Sequence, residues 1–203
     1  MPVTINGSTG IGTPGVASTG AVSGTTGTFT GNVSGADGAF SGNVTANGVA
    51  TELRPLVLMT AKAWDWNGLS TNTVLEFTGI PSWAKRATVM LDRISLSGTD
   101  NILVQLGTSG GYVATGYTGS STSVSSTAGM IIGAATASRE ITGLMTICLL
   151  TGTRWVSDHS VTYVSNVFSG GSTVDVGGVL DRLRLTVTTT NTFDGGTANV
   201  MYE

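Results

Sequence analysis

Asp181-Arg-Leu-Arg-Leu-Thr-Val-Thr188 is the stretch whose reading decides the fold. Leu183, Leu185 and Val187 alternate strictly with Arg182, Arg184 and Thr186, so a period of two sets the three apolar side chains on one face and the polar ones on the other. That is the pattern of a half-buried β-strand. Outward from it, short apolar and β-branched runs recur from Leu53 on at roughly the 8 to 12 residue spacing of an all-β sandwich or barrel. The predicted strands are Leu56–Trp66, Val74–Phe77, Ala87–Leu96, Ile102–Leu106, Gly111–Tyr117, Ile141–Leu150, Val161–Phe168, Leu180–Thr188 and Thr197–Tyr202. No helical period of any length appears. About eight or nine strands suit two packed antiparallel sheets of jelly-roll type, with Thr118–Gly129 and Ser169–Thr173 as connecting loops.

Composition agrees with this reading. Only 10% of the residues are charged, against about 25% in ordinary soluble domains, and 30 glycines fill the space, which favours strands and turns over helices. A formal net charge of -3, with no basic cluster larger than Lys85-Arg86, offers no field for nucleic acid. Cys148 stands alone in the apolar run Leu144–Leu150, where it reads as a buried small hydrophobe and precludes a disulfide within the chain. The amino terminus lacks the pattern of a signal peptide, and no apolar run is long enough to span a membrane. The expectation is a soluble product made in a cytoplasm.

The first fifty residues differ in kind. They form a Gly/Thr/Ser/Val/Asn tract with a single charge, Asp37, and a repeat of eleven residues: Phe29-Thr-Gly-Asn-Val-Ser-Gly is followed one period on by Phe40-Ser-Gly-Asn-Val-Thr-Ala. Val22, Val33 and Val44 are equivalent positions, and each Phe, Gly and Val two residues apart shares one face of an extended strand. So few apolar side chains in one chain do not offset the entropy of ordering it. The tract therefore reads either as a flexible linker or as a shaft in which several chains, finding no partner strand within themselves, bury Val22, Phe29, Val33, Phe40 and Val44 along a common axis. The division expected is residues 1–20 as an anchoring segment, 21–51 as the repetitive shaft and 52–203 as the head.

Catalytic chemistry finds little footing. Gly107-Thr-Ser-Gly-Gly111 fits the Gly-x-Ser-x-Gly pattern, but the residues after Ser109 do not continue as the helix a nucleophile elbow needs, and His159 is the sole imidazole available as a base. Asp65, Glu76, Asp92 and Glu140 are the carboxylates a polysaccharide hydrolase would draw on, and their spacing singles out no pair. One His and one Cys, with no alternating oxygen ligands, point to no metal or cofactor. Trp64, Trp66 and Trp155 read as core residues. Tyr112 and Tyr117, bordering a Ser/Gly/Thr run, have the makeup of a binding surface: rigid amphipathic rings among adaptable polar groups.

The passage Phe77-Thr-Gly-Ile-Pro-Ser-Trp-Ala-Lys-Arg-Ala-Thr-Val-Met-Leu-Asp92, with Leu103-Val-Gln-Leu-Gly107 and the closing Asn191-Thr-Phe-Asp-Gly-Gly-Thr-Ala-Asn-Val-Met-Tyr-Glu203, resembles the globular domain of bacteriophage fibre proteins, and the Phe-Thr-Gly-Asn-Val repeats are similar to the shaft segments that precede such domains. The resemblance implies a non-enzymatic virion protein on the particle surface. It implies a homotrimer, fixed by its amino end to capsid or tail proteins, with the head facing outward; adhesion to a host-surface glycan is then the expectation, and Tyr112 and Tyr117, by the composition of their surroundings, are the candidate contacts. Two other roles stay open at this point: a capsid decoration protein clamping the shell through residues 1–20, and a surface-polysaccharide hydrolase.

Overall fold

The structure, a computed structural model, describes residues 44–46, 49–51, 56–64, 72–136, 139–163 and 166–203. The chain divides into two units, Met1–Glu52 and Leu53–Glu203. In the first, β1 (Val44–Ala46) pairs antiparallel with β2 (Val49–Thr51), with Val44 opposite Thr51. The last copy of the repeat thus has a backbone partner in its own chain, contrary to the expectation of none. The overlooked signal is Asn47-Gly48 between the two strands, the dipeptide favoured in two-residue hairpins. Val22, Phe29, Val33 and Phe40 lie outside the described residues.

The second unit is all-β among its described residues, and every pairing is antiparallel. Its strands are β3 (Val57–Leu58), β4 (Lys62–Trp64), β5 (Val74–Thr78), β6 (Arg86–Leu96), β7 (Asp100–Thr108), β8 (Gly111–Tyr112), β9 (Thr118–Ser121), β10 (Val124–Ser125), β11 (Met130–Ala135), β12 (Ile141–Thr151), β13 (Arg154–Tyr163), β14 (Asn166–Asp175), β15 (Arg182–Val187) and β16 (Phe193–Tyr202). A nine-stranded sheet runs β10-β9-β14-β13-β12-β6-β16-β3, with β4 also on β16. A five-stranded sheet runs β11-β7-β15-β5, with β8 on β7.

Alternation sets what each sheet buries. Leu183, Leu185, Val104, Leu106 and Phe77 from the small sheet share one core with Val89, Met145, Ile147, Val161 and Val200 from the large one. Each such side chain, fully removed from water, contributes about 1.5–3 kcal/mol before entropy is counted. The quoted stretch behaves as its pattern requires: in β15, Leu183 and Leu185 are buried while Arg182 and Arg184 stay half-exposed on the other face. One buried carboxylate fastens the end of this strand. Asp100, at the start of β7, accepts the amide hydrogens of Asn101 (2.7 Å), Thr188 (3.1 Å) and Thr189 (2.9 Å), and both threonine hydroxyls donate to it as well.

Several expected elements are revised. The run 161–168 is not one strand but the end of β13 and the start of β14. The polar residues alternating with Trp155, His159 and Val161 had masked the first half. Ser169–Thr173 is no turn: it lies inside β14, paired with β13 on one side and β9 on the other. Its glycine serves close approach, since a side chain on Gly170 would collide with the Ser120 carbonyl and the His159 ring. The presumed loop 118–129 folds in part as the β9–β10 hairpin, and β11 is a strand with Met130, Ile131 and Ile132 all buried, so it shows no alternation to read. Cys148 is half-buried and points away from the core, because Met145 and Ile147 occupy the inward positions of β12.

Candidate functional site

Tyr112 is the centre of the best-formed polar cluster on the head. Three strands of the small sheet set one transverse row, Glu76 opposite Arg184 opposite Gln105, and the next row holds Thr78, Arg182, Gly107 and Tyr112. Arg184 lies over the Tyr112 ring with its guanidinium carbon 4.3 Å from the centroid, and Arg182 approaches to 6.0 Å. Gly107 makes this possible: a side chain there would meet Arg182 and the backbone of Tyr112. The guanidiniums are held in turn by carboxylates and an amide. Arg184 donates from Nε to Gln105 Oε1 at 2.8 Å and lies 3.9 Å from Glu76, while Arg182 donates to both oxygens of Asp181 at 2.7 and 3.2 Å. Gln105 is fixed from behind by donating to the Ala128 carbonyl at 2.7 Å.

The electrostatics follow. Burial and the neighbouring Glu76 carboxylate push the Tyr112 phenol up to about 12 against the opposing pull of Arg182 and Arg184. Its hydroxyl is screened from solvent and makes no well-formed hydrogen bond, although Glu76 stands beside it. What this face offers a ligand is a flat, half-exposed ring backed by two cations whose charge is matched by two carboxylates. Such a surface suits stacking and hydrogen bonding to a polar ring more than capture of a bare anion.

Tyr117 does not join it at the surface. Its side chain is 1% exposed, and its hydroxyl donates to the Val113 carbonyl at 2.9 Å while accepting the Leu106 amide at 2.8 Å. The expected contact residue is a core residue that uses its polar tip to satisfy backbone where the chain leaves β7, and burial pushes its phenol up to about 12. Of the two tyrosines that sequence reading singled out, the structure leaves Tyr112 half-exposed and buries Tyr117, and around Tyr112 it sets Arg182, Arg184, Gln105 and Gly107, which that reading did not single out. The outward positions of the quoted strand were the available signal.

The hydrolase candidates separate. Ser109 is exposed in the turn between β7 and β8, whereas His159 is 4% exposed and bonded to Ser121, 2.9 Å from Nε2 to Oγ. Ser121 donates its one hydroxyl proton to the Ile132 carbonyl at 2.6 Å, so the proton between the two side chains belongs to Nε2. An imidazole donating to a serine is not drawing a proton from it, and this pair is a structural clip between β9, β13 and β11. Burial lowers the His159 pKa and keeps the ring neutral. Glu76 points outward from the small sheet and Asp92 outward from the large one, on opposite faces of the head, and Asp65 lies outside the described residues. Trp155 is buried in the core, as read; Trp66 is outside the described residues. No helix among the described residues is long and apolar enough to cross a membrane, and no three metal-ligating side chains converge among them.

Comparison of the chain with models of protein families, with curated proteins and with solved structures finds no match.

Proposed function

We propose that this chain is a structural subunit of a bacteriophage particle: a homotrimeric surface fibre, held to capsid or tail proteins by residues 1–20, extended by a shaft over residues 21–51, and ending in a jelly-roll-like head that adheres to a host-surface glycan. The observation that carries the reading is the division of one chain into a repetitive, nearly uncharged tract and a separate β-rich head. A tract with apolar positions in phase every eleven residues gains its core from copies of itself, so its folding is coupled to assembly. The head supports the jelly-roll description through its repeated passage between sheets, from β5 to β6 to β7 and from β14 to β15 to β16, although β12, β13 and β14 form a plain meander. Tyr112, stacked under Arg184, supplies the rigid aromatic face that sugar rings use.

The test is to label particles with antibody raised against the head and to add the free full-length protein before infection. Labelling at a tail or vertex appendage, with infection blocked in proportion to added protein, is the expected result. Uniform labelling of the shell with no effect on infection assigns the capsid decoration role instead. Absence of label on intact particles overturns both.

A further inference from the structure

The β9–β10 hairpin is the outermost part of the large sheet at one end of its strand order, and little holds it there. Between Thr118 and Ser125 the one buried side chain is that of Ser121. The rest of the attachment is backbone: Thr118 to Ser121 paired with Gly170 to Thr173 of β14, and the Thr122 amide donating to the Ser169 carbonyl at 2.9 Å. The single inward contact ends on a titratable ring. Ser121 accepts from His159 Nε2 on β13 and donates to the Ile132 carbonyl on β11, so one relay ties the hairpin to both sheets. Every side chain that faces the ring is uncharged. Register sets Met145 of β12 and Gly170 of β14 beside it, Ser157 and Val161 share its face of β13, and Ser121 and Ile132 lie beyond. Asp158, the carboxylate whose charge reaches the ring, is exposed on the outer face. The second ring nitrogen, Nδ1, is buried with no protein partner, so a proton added there makes a cation that no carboxylate faces.

We infer that His159 is an acid release for this hairpin: in mildly acidic surroundings β9 and β10 lift from β14 while the rest of the head stays folded. Lifting β9 takes away the Ser121 partner and opens the Nε2 edge of the ring to water, which solvates the imidazolium that the closed site does not. Burial lowers the pKa of the closed ring, whereas an exposed imidazole titrates near about 6.5. The advantage of the closed form is therefore complete above about pH 6.5 and is lost as pH falls below it, by up to about tenfold in the closing equilibrium per pH unit, until the closed ring also binds its proton. Apart from Tyr117, residues 117–129 carry no ionisable side chain, so the hairpin has no titration of its own in this range. Its release leaves residues 170–173 of β14 as an open sheet edge, a template for another extended chain.

The experiment is hydrogen exchange of the full-length protein, read by mass spectrometry from about pH 8 to about pH 5 with intrinsic exchange rates divided out, on wild type and His159→Gln. Glutamine keeps a donor for Ser121 and does not titrate. The expected result is hairpin protection that is constant above about pH 6.5 and falls by up to about tenfold per unit below it, with β12 unchanged across the range and the variant's hairpin insensitive to pH. A second measurement stands if the variant does not fold: the chain has one histidine, so its imidazole resonances are unambiguous, and in wild type the ring is to stay neutral below about pH 6.5. Hairpin protection that ignores pH in wild type overturns the release, as does a hairpin that loses protection only together with β12. So does a variant that keeps the wild-type dependence, or a ring that takes up its proton at or above about pH 6.5 under a closed hairpin.

Discussion

The outer faces of the two sheets are built from the same alternation and carry opposite chemistry. On the small sheet, Glu76, Arg184, Gln105, Arg182 and Tyr112 form a connected polar layer in which each cation has a partner. On the large sheet, the exposed Leu58 and Leu144 stand with Met90 and Thr146 in two outward rows, bordered by the exposed carboxylate of Asp92. The difference teaches that a β-sandwich has two independent surfaces to assign once its core is filled. A self-contained polar layer needs no cover, whereas a contiguous apolar patch gains free energy when one is supplied.

The comparison presumes that both faces hang on one core, and the largest effect tests that. Leu185→Ala removes a fully buried side chain of the shared core and is expected to cost about 2–5 kcal/mol. Denaturant unfolding followed by tryptophan fluorescence, with Trp155 on the large sheet, and by near-ultraviolet absorbance of tyrosine, with Tyr112 on the small one, should shift together. Separate transitions would mean that the sheets fail independently and the contrast is one between two bodies.

Next in size is Asp100→Ala, which leaves buried backbone amides at the β7–β15 junction without their acceptor, at about 1.5–3 kcal/mol for hydrogen bonds to a charged group. Burial alone would raise the Asp100 pKa, but the hydrogen bonds from Thr188, Thr189 and Asn101 outweigh it and hold the value below the ordinary one. A depressed folded pKa contributes stability that is fully present above the unfolded value, about 3.9, and is lost as pH falls through the folded one. The variant should therefore lose part of the wild type's acid-limb slope in a stability-against-pH series. An unchanged slope would show that the end of β15 is not pinned by this carboxylate.

Arg184→Met sharpens the contrast directly by removing the cation over Tyr112. The expected cost is under about 1 kcal/mol, because half-exposed ion and cation–π pairs are screened by solvent. The Tyr112 phenol should move above its value of about 12, since Arg184 pulls it down, and ultraviolet titration reads this. Both tyrosines have raised folded values, so their stabilisation is complete below about pH 10 and disappears as pH rises toward 12. Val167→Ser, on the outer face of the large sheet at β14, is the smallest change, within about 0.5 kcal/mol in thermal unfolding. A larger loss would show that this exposed position is packed in solution.

Sequence alone determined the fold class, because a period of two in Asp181–Thr188, the turn-rich spacing of the strands and the scarcity of charge are local properties that exclude helices. It also determined the division between tract and head as a change of composition, and it picked out Tyr112 by the polarity of its neighbours. Tertiary structure decided the rest. Tyr117 has the same local surroundings as Tyr112, yet it turns inward, because the Leu106 amide and the Val113 carbonyl need its hydroxyl. His159 lost its candidate role to Ser121, a residue 38 positions away that only strand pairing brings near. The glycines of Ser169–Thr173 looked like a turn and proved to be the clearance between two paired strands. The chemistry of each outer face is written one residue per strand, so the rows that define it exist only after the register of the sheet is fixed.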